Sequence, residues 1–201
     1  FDTADDTNAL CRKLLNETGM LDPNTKVLIG NTVFVNEGMG IRLQDSFVEK
    51  ANTYYDAEPQ GRDFADGLTR DVINQWASDH TEDMIKEVLS KSEYKEDAVS
   101  YLLNALYFKG AWTSEFREEN IRKEPFNGGD IVDMLPQNGE FAYTENDLYQ
   151  AVLLPYGNGA FQMTVYLPRE GKIIGDVLAQ LNGDNCRFTG HYYEVDLALP
   201  H

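Results

Sequence analysis

The chain has 201 residues, with 34 acidic against 17 basic side chains and a net charge of −17. That balance excludes the usual readers of nucleic acid and anionic membranes, which work through basic patches. With 42% hydrophobic and 25% charged residues the composition is that of a globular protein. No apolar run approaches the ~20 residues of a membrane-spanning helix, so a soluble chain without a membrane partner is expected. The opening "FDTADDTNAL" has neither the basic start nor the apolar stretch of a signal peptide. Cys11 and Cys186 are far apart and form no CxxC; two free thiols and one disulfide both stay open.

Taken in chain order, Thr7 to Leu21 places Leu10, Leu14, Leu15 and Leu21 at helical spacing before "DPN" stops it. Lys26 to Val35, "KVLIGNTVFV", is rich in β-branched residues and predicts a strand closing on the turn "NEGMG". Ile41 to Ala57 gathers Leu43, Phe47, Val48, Ala51, Tyr54 and Tyr55 on one helical face, ended by Pro59 and Gly61, with "RDFA" a short extended piece. The clearest amphipathic stretch is Asp66 to Leu89, where Leu68, Val72, Ile73, Trp76, His80, Met84, Ile85 and Val88 recur at steps of mostly three to five. His80 on that stripe reads as a partly buried packing residue, since no second ligand stands at metal spacing beside it.

Ala98 to Phe108 is a continuous apolar run that fits a buried strand or a buried helix. Chain order favours the strand. A strand, a helix, a short strand and a helix precede it, so a further strand completes a crossover pattern in a largely parallel sheet, covered on both faces. Val27–Val35 and Ala98–Phe108 should then share one sheet, with the helix around Leu68–Trp76 across its face. Beyond Trp112 the chain reads as strand runs broken at "NGG", "QNG" and "YGNG", including a hairpin of Ala151–Leu154 with Phe161–Leu167. A short helix, Ile173 to Leu181, and a last alternating strand, "HYYEVDLALP", complete an α+β chain without internal repeats.

Catalytic motifs are missing. There is no GxSxG elbow, no Walker loop and no HExxH. "GMG" at Gly38–Gly40 lacks the third glycine of a dinucleotide fingerprint, and His191 and His201 have no nucleophile at a recognisable spacing. The neighbouring carboxylates Asp5–Asp6 and Glu118–Glu119 read as solvated surface. Asn16–Glu17–Thr18 is a glycosylation sequon, a triplet that also arises by chance. The expectation is a protein that is not an enzyme and needs no metal or cofactor.

Four segments, in order, resemble the serpins. "LLNALYFKGAWTSEF" is similar to the family's NAxYFKGxWxxxF signature at Asn104, Ala105, Tyr107, Phe108, Lys109, Gly110, Trp112 and Phe116. "INQWASDHTEDMI" resembles INxWVxxxTxxxI at Ile73, Asn74, Trp76, Thr81 and Ile85. "VDMLPQNGEFAY" follows VxMMxQxGxFxY at Val132, Met134, Gln137, Gly139, Phe141 and Tyr143. "LLPYGNGAFQMTVYLP" follows LPYxGxxxSMxIxLP at Leu154, Pro155, Tyr156, Met163, Leu167 and Pro168. Ala77 stands where valine is usual, and His201 where lysine or arginine is common.

The resemblance implies a single partial serpin domain over residues 1–201, with mixed sheets and several helices. It covers roughly the middle half of a serpin, without the three N-terminal helices, strand five of the large sheet or the reactive-centre loop. Residues 102–112 then correspond to the third strand of the large sheet. Asn104 matches the shutter asparagine, expected to be buried and hydrogen-bonded. Lys109 and Gly110 carry the motif on to Trp112, which matches the breach tryptophan. These are conformational sites, none of them catalytic, cofactor-binding or metal-binding. The implied activity is suicide inhibition of a serine or cysteine protease through the absent loop, outside the cell. The alternative is a non-inhibitory serpin acting as carrier, chaperone or storage protein. A further serpin segment is expected to complete the fold, because Leu102, Leu106, Phe108 and the Leu154–Tyr166 hairpin would otherwise form exposed apolar surface.

Overall fold

A computed structural model describes residues 3–126, 128–183 and 191–201. They form two compact units, Phe1–Lys109 and Gly110–His201. Cys186 lies outside the described residues, and Cys11 has no disulfide partner among the described ones.

In the first unit, α1 (Ala4–Thr18) starts where Thr3 accepts a hydrogen bond from the Asp6 amide, and Asp5 and Asp6 complement the positive end of the helix. It begins and ends three residues earlier than the spacing predicts, leaving Met20 and Leu21 exposed beyond it. After β1 (Lys26–Asn36), α2 (Asp45–Tyr55) ends at Asp56 in the left-handed region, φ 47°. Tyr55 Oη donates to Asn8 Oδ1 at 2.7 Å, and Arg12 pairs with Asp56 at 2.6 Å, so the two helices are tied at the end of α2.

The sheet runs in the order β2 (Gln60–Arg62), β1, β3 (Ser100–Lys109). β1 and β3 do share it, as expected, and β2 is parallel to β1. The β1–β3 pair, however, is antiparallel over its whole length, with Lys26 opposite Lys109 and Val35 opposite Ser100. The sheet is therefore not largely parallel. The cause is a second pass of chain across the sheet. α3 (Thr69–His80) carries the chain to the start of β1, where Lys26 bonds Glu82 at 2.8 Å. Residues 82–99 then return to the far end of β1, where Asn36 donates to the carbonyls of Glu96 and Ala98 and its own amide to Val99. β3 must consequently run back.

The predicted helix to Leu89 also stops at His80. Thr81 Oγ1 turns back to the Ala77 carbonyl at 2.7 Å, and Glu82 and Asp83 take left-handed φ of 51° and 61°. Asn74 then captures the returning chain, accepting from the Val88 and Leu89 amides and donating to the Leu89 carbonyl. Satisfied by a side chain, that backbone has no need of helical bonds. Met84 and Ile85, which continue the apolar stripe, are accordingly exposed, and Leu68, the residue just before α3, is exposed as well.

The core lies between α3 and one face of the sheet: Phe34, Phe64, Ile73, Trp76, Ala77, Leu103 and Ala105. β3 alternates. Leu103 and Ala105 are buried, while Leu102 and Leu106 are 85% and 62% exposed. The expected cover on both faces is absent among the described residues, so the unbroken apolar run of β3 packs on one side only.

In the second unit, β4 (Arg122–Phe126), β5 (Asp130–Glu145), β6 (Tyr149–Tyr156) and β7 (Phe161–Pro168) pair in chain order, and β8 (His191–Pro200) lies along Met134–Tyr143 of β5. "QNG" does not break the run. Gly139 sits opposite Val195 within the ladder, because ten consecutive pairs to β8 hold the backbone extended. The β6–β7 hairpin turns through Gly157 and Gly159, both at positive φ (46° and 87°), where a side chain would be strained. α4 (Ile174–Gln180) follows β7. Phe141, Val152, Leu154 and Leu197 form the core. Leu154 is thus enclosed within its own unit, and of the large apolar side chains of the hairpin only Met163 and Leu167 are exposed, against the expectation of a bare hairpin.

Candidate functional site

Asn104 lies mid-way along β3, opposite Asn31 of β1. It is exposed, not buried as expected, because it falls on the alternation that carries Leu102 and Leu106 away from α3. It is nonetheless tied down. Its Nδ2 donates to Asn31 Oδ1 at 2.8 Å and to the Gly30 carbonyl at 3.3 Å. Asn31 Nδ2 in turn donates to the Tyr55 carbonyl at 2.9 Å, at the end of α2. Sequence reading missed Asn31. No motif marks it, and only the strand register places it beside Asn104.

Around these amides, Val27, Ile29 and Val33 of β1 face Phe108, Leu106 and Leu102 of β3 on the same side of the sheet. The result is an apolar field with an amide pair at its centre. On the other side Gly30 lies under the His80 ring, which stacks on Trp76 at 4.4 Å and shares a 2.8 Å hydrogen bond between Nδ1 and the Trp76 carbonyl. His80 is the partly buried packing residue expected.

Lys109 ends β3, exposed and directly opposite Lys26. Like charges in that position repel. Glu82 relieves the pair by hydrogen-bonding the Lys26 ammonium, which raises the Lys26 pKa above its ordinary value.

Gly110 and Trp112 belong to the second unit. Trp112 is half-buried and stacks on Tyr156 at 4.2 Å and 16°, with Phe116 edge-on at 5.9 Å. The backbone is pinned on both sides of it. The Gly157 amide donates to the Ala111 carbonyl at 2.9 Å, and the Thr113 amide to the Pro155 carbonyl at 2.9 Å. Burial raises the pKa of the Tyr156 hydroxyl. The "GAW" segment is thus clamped to the turn of the β6–β7 hairpin by residues 44 positions away in sequence. Tyr156 stands in the fourth motif, but its partnership with Trp112 has no signal in spacing.

A family model described as "Serpin (serine protease inhibitor)" matches residues 2–201. Rat neuroserpin is 32% identical over 157 residues, covering 71% of this chain and 37% of that protein. Serine protease inhibitor 2 of Anopheles gambiae is 29% identical over 209 residues, covering 99% of this chain and 50% of that protein. A serpin-12 structure from Manduca sexta superposes with a TM-score of 0.88 at 24% identity, covering 98% of this chain and 57% of that one. Emu ovalbumin gives 0.83 at 22%, covering 96% and 53%. The chain therefore spans half or less of the length of rat neuroserpin and the Anopheles inhibitor, and little more than half of the two solved chains. With the family model matched over nearly every residue and the α+β fold shared with solved serpins, the chain belongs to the serpin family.

Proposed function

We propose that residues 1–201 are the central part of an inhibitor that traps a serine protease as an acyl-enzyme. Cysteine proteases, which acylate in the same way, are the second target class. The protease attacks a loop outside this chain, and its nucleophile becomes esterified to the loop as the amine fragment leaves. The loop then enters the large sheet as a new strand, and the attached protease is deformed before water can release it. The driving force is a native sheet that is less stable than the inserted one. Its place of action is extracellular.

One observation carries this reading: β3 stands at the end of the sheet order β2-β1-β3, with an edge open to a further strand among the described residues. An open edge next to a packed core is what strand insertion requires. In the same reading Asn104 is the shutter residue and Lys109, Gly110 and Trp112 lead to the breach. Further serpin segments cover the Leu102–Leu106 face.

The test uses the full-length polypeptide that contains this chain, incubated with trypsin-like, chymotrypsin-like and elastase-like proteases. An SDS-stable complex carrying a cleaved loop is the expected result. Cleavage of the loop without a complex and without a gain in thermal stability would overturn it in favour of a non-inhibitory carrier, chaperone or storage role.

A further inference from the structure

The hydrogen bonds around Asn104 have a direction, and that direction begins at a group that cannot reverse. The Tyr55 carbonyl closes the last turn of α2 and can only accept. It holds the Asn31 amide with Nδ2 toward α2 and Oδ1 toward β3. Asn31 Oδ1 then takes a hydrogen from Asn104 Nδ2 at 2.8 Å, and the Gly30 carbonyl takes the other at 3.3 Å. Both Asn104 donors are spent on β1. Its Oδ1 is left without a protein partner among the described residues. Turning either amide over would set oxygen against oxygen at Tyr55 or Gly30, or nitrogen against nitrogen between the two side chains.

We infer that Asn31 is a positioning residue which, anchored on the end of α2, fixes Asn104 so that it offers an oxygen, and only an oxygen, to whatever packs on this face of the sheet. The covering segment must therefore bring a hydrogen-bond donor to Asn104, and an acceptor there is rejected. The same relay makes the state of β3 sensitive to how α2 ends. This rests on the reading of Asn104 as a conformational site and adds to it the residue that sets its polarity. Nothing in the motif points to Asn31, which the antiparallel register alone brings opposite Asn104.

The test is a double-mutant cycle in the full-length polypeptide: wild type, Asn31→Leu, Asn104→Leu and both together. Two quantities are read. One is the thermal midpoint. The other is the rate of conversion to polymer or to a heat-resistant form, at a fixed interval below each midpoint. Each single change is expected to speed conversion by about five- to tenfold, and the double variant to convert no faster than Asn104→Leu. If Asn31→Leu keeps its full effect in the Asn104→Leu background, the relay is overturned while the role of Asn104 stands. If Asn104→Leu leaves conversion unchanged, the conformational reading of Asn104 falls. The relay is then judged on the midpoints, where coupling supports it and additivity overturns it.

Asn31→Asp adds a pH profile that a purely packing role would not produce. An ionised aspartate can accept from Asn104 but cannot donate to Tyr55. The protonated acid does both. Relative to wild type at each pH, Asn31→Asp should convert fast at neutral pH and approach the wild-type rate as pH falls through the carboxylate range. A constant ratio across that range would overturn the directional relay.

Discussion

At Gly30 the sheet and α3 come so close that an added Cβ would lie 2.5 Å from the His80 ring. Gly30→Ala is therefore expected to lower stability by roughly 1–3 kcal/mol through overpacking, and His80→Ala should recover part of it when the two are combined. Strictly additive losses across the single and double variants, measured by urea denaturation, would show that the approach is not tight. Glu145 makes a second prediction. Its carboxylate accepts from Tyr143 Oη at 2.7 Å and from Arg169 at 2.5 Å, and these bonds, Tyr143 first, lower its pKa. A carboxylate lowered on folding adds stability above its unfolded pKa and loses it as pH falls through the folded one. Carbon-13 titration should place Glu145 below the ordinary glutamate range, and Tyr143→Phe should move it back up. No movement would assign the shift elsewhere. The pair is exposed, so the effect on overall stability is small.

Among the elements, the return segment 82–99 is the one most dependent on single side chains. Asn74, buried in α3, holds the Val88 and Leu89 amides and the Leu89 carbonyl, and Asn36, also buried, holds Glu96, Ala98 and Phe64. Removing either amide leaves buried backbone groups without partners. Asn74→Ala is expected to cost roughly 1–3 kcal/mol. Limited proteolysis should then cut within 82–99 well before the rest of the chain. Cleavage at wild-type rates would mean that the hydrophobic anchors Leu89 and Tyr94 hold the segment unaided. Because this segment reverses the direction of β3, its attachment decides whether β3 presents Asn104 opposite Asn31 at all.

At the scale of the whole chain, the decisive feature is a sheet face that nothing covers among the described residues. Leu102 and Leu106 stand 85% and 62% exposed on β3, whose outer edge is unpaired among the described residues, beside Phe108 and across from Val33 and Ile29. Contiguous apolar surface on an edge strand favours association with another chain. A polypeptide of residues 1–201 alone is expected to self-associate and to form no SDS-stable complex with a serine protease. A cooperative, concentration-independent melt of a monomer in sedimentation experiments would contradict this. Leu102→Glu with Leu106→Lys should reduce the association, since charges on an edge strand oppose pairing.

The helices α1, α2 and α4, the strands β1, β3 and β8, the β6–β7 hairpin and the four serpin motifs can all be read along the chain. Each is written in local terms: periodicity of 3.6 or 2, glycine at a turn, a motif at fixed spacing. Asn104 and Trp112 were found in that way. Three matters were not local. The antiparallel course of β3 depends on Asn36 and Asn74 holding a returning segment up to 62 residues away in sequence. The exposure of Asn104 depends on which side of the sheet α3 covers, and a continuous apolar run cannot say which. The partnerships of Asn104 with Asn31 and of Trp112 with Tyr156 depend on register and docking, since a hydrogen bond or a ring stack forms only between groups that the assembled backbone has already brought within a few ångströms.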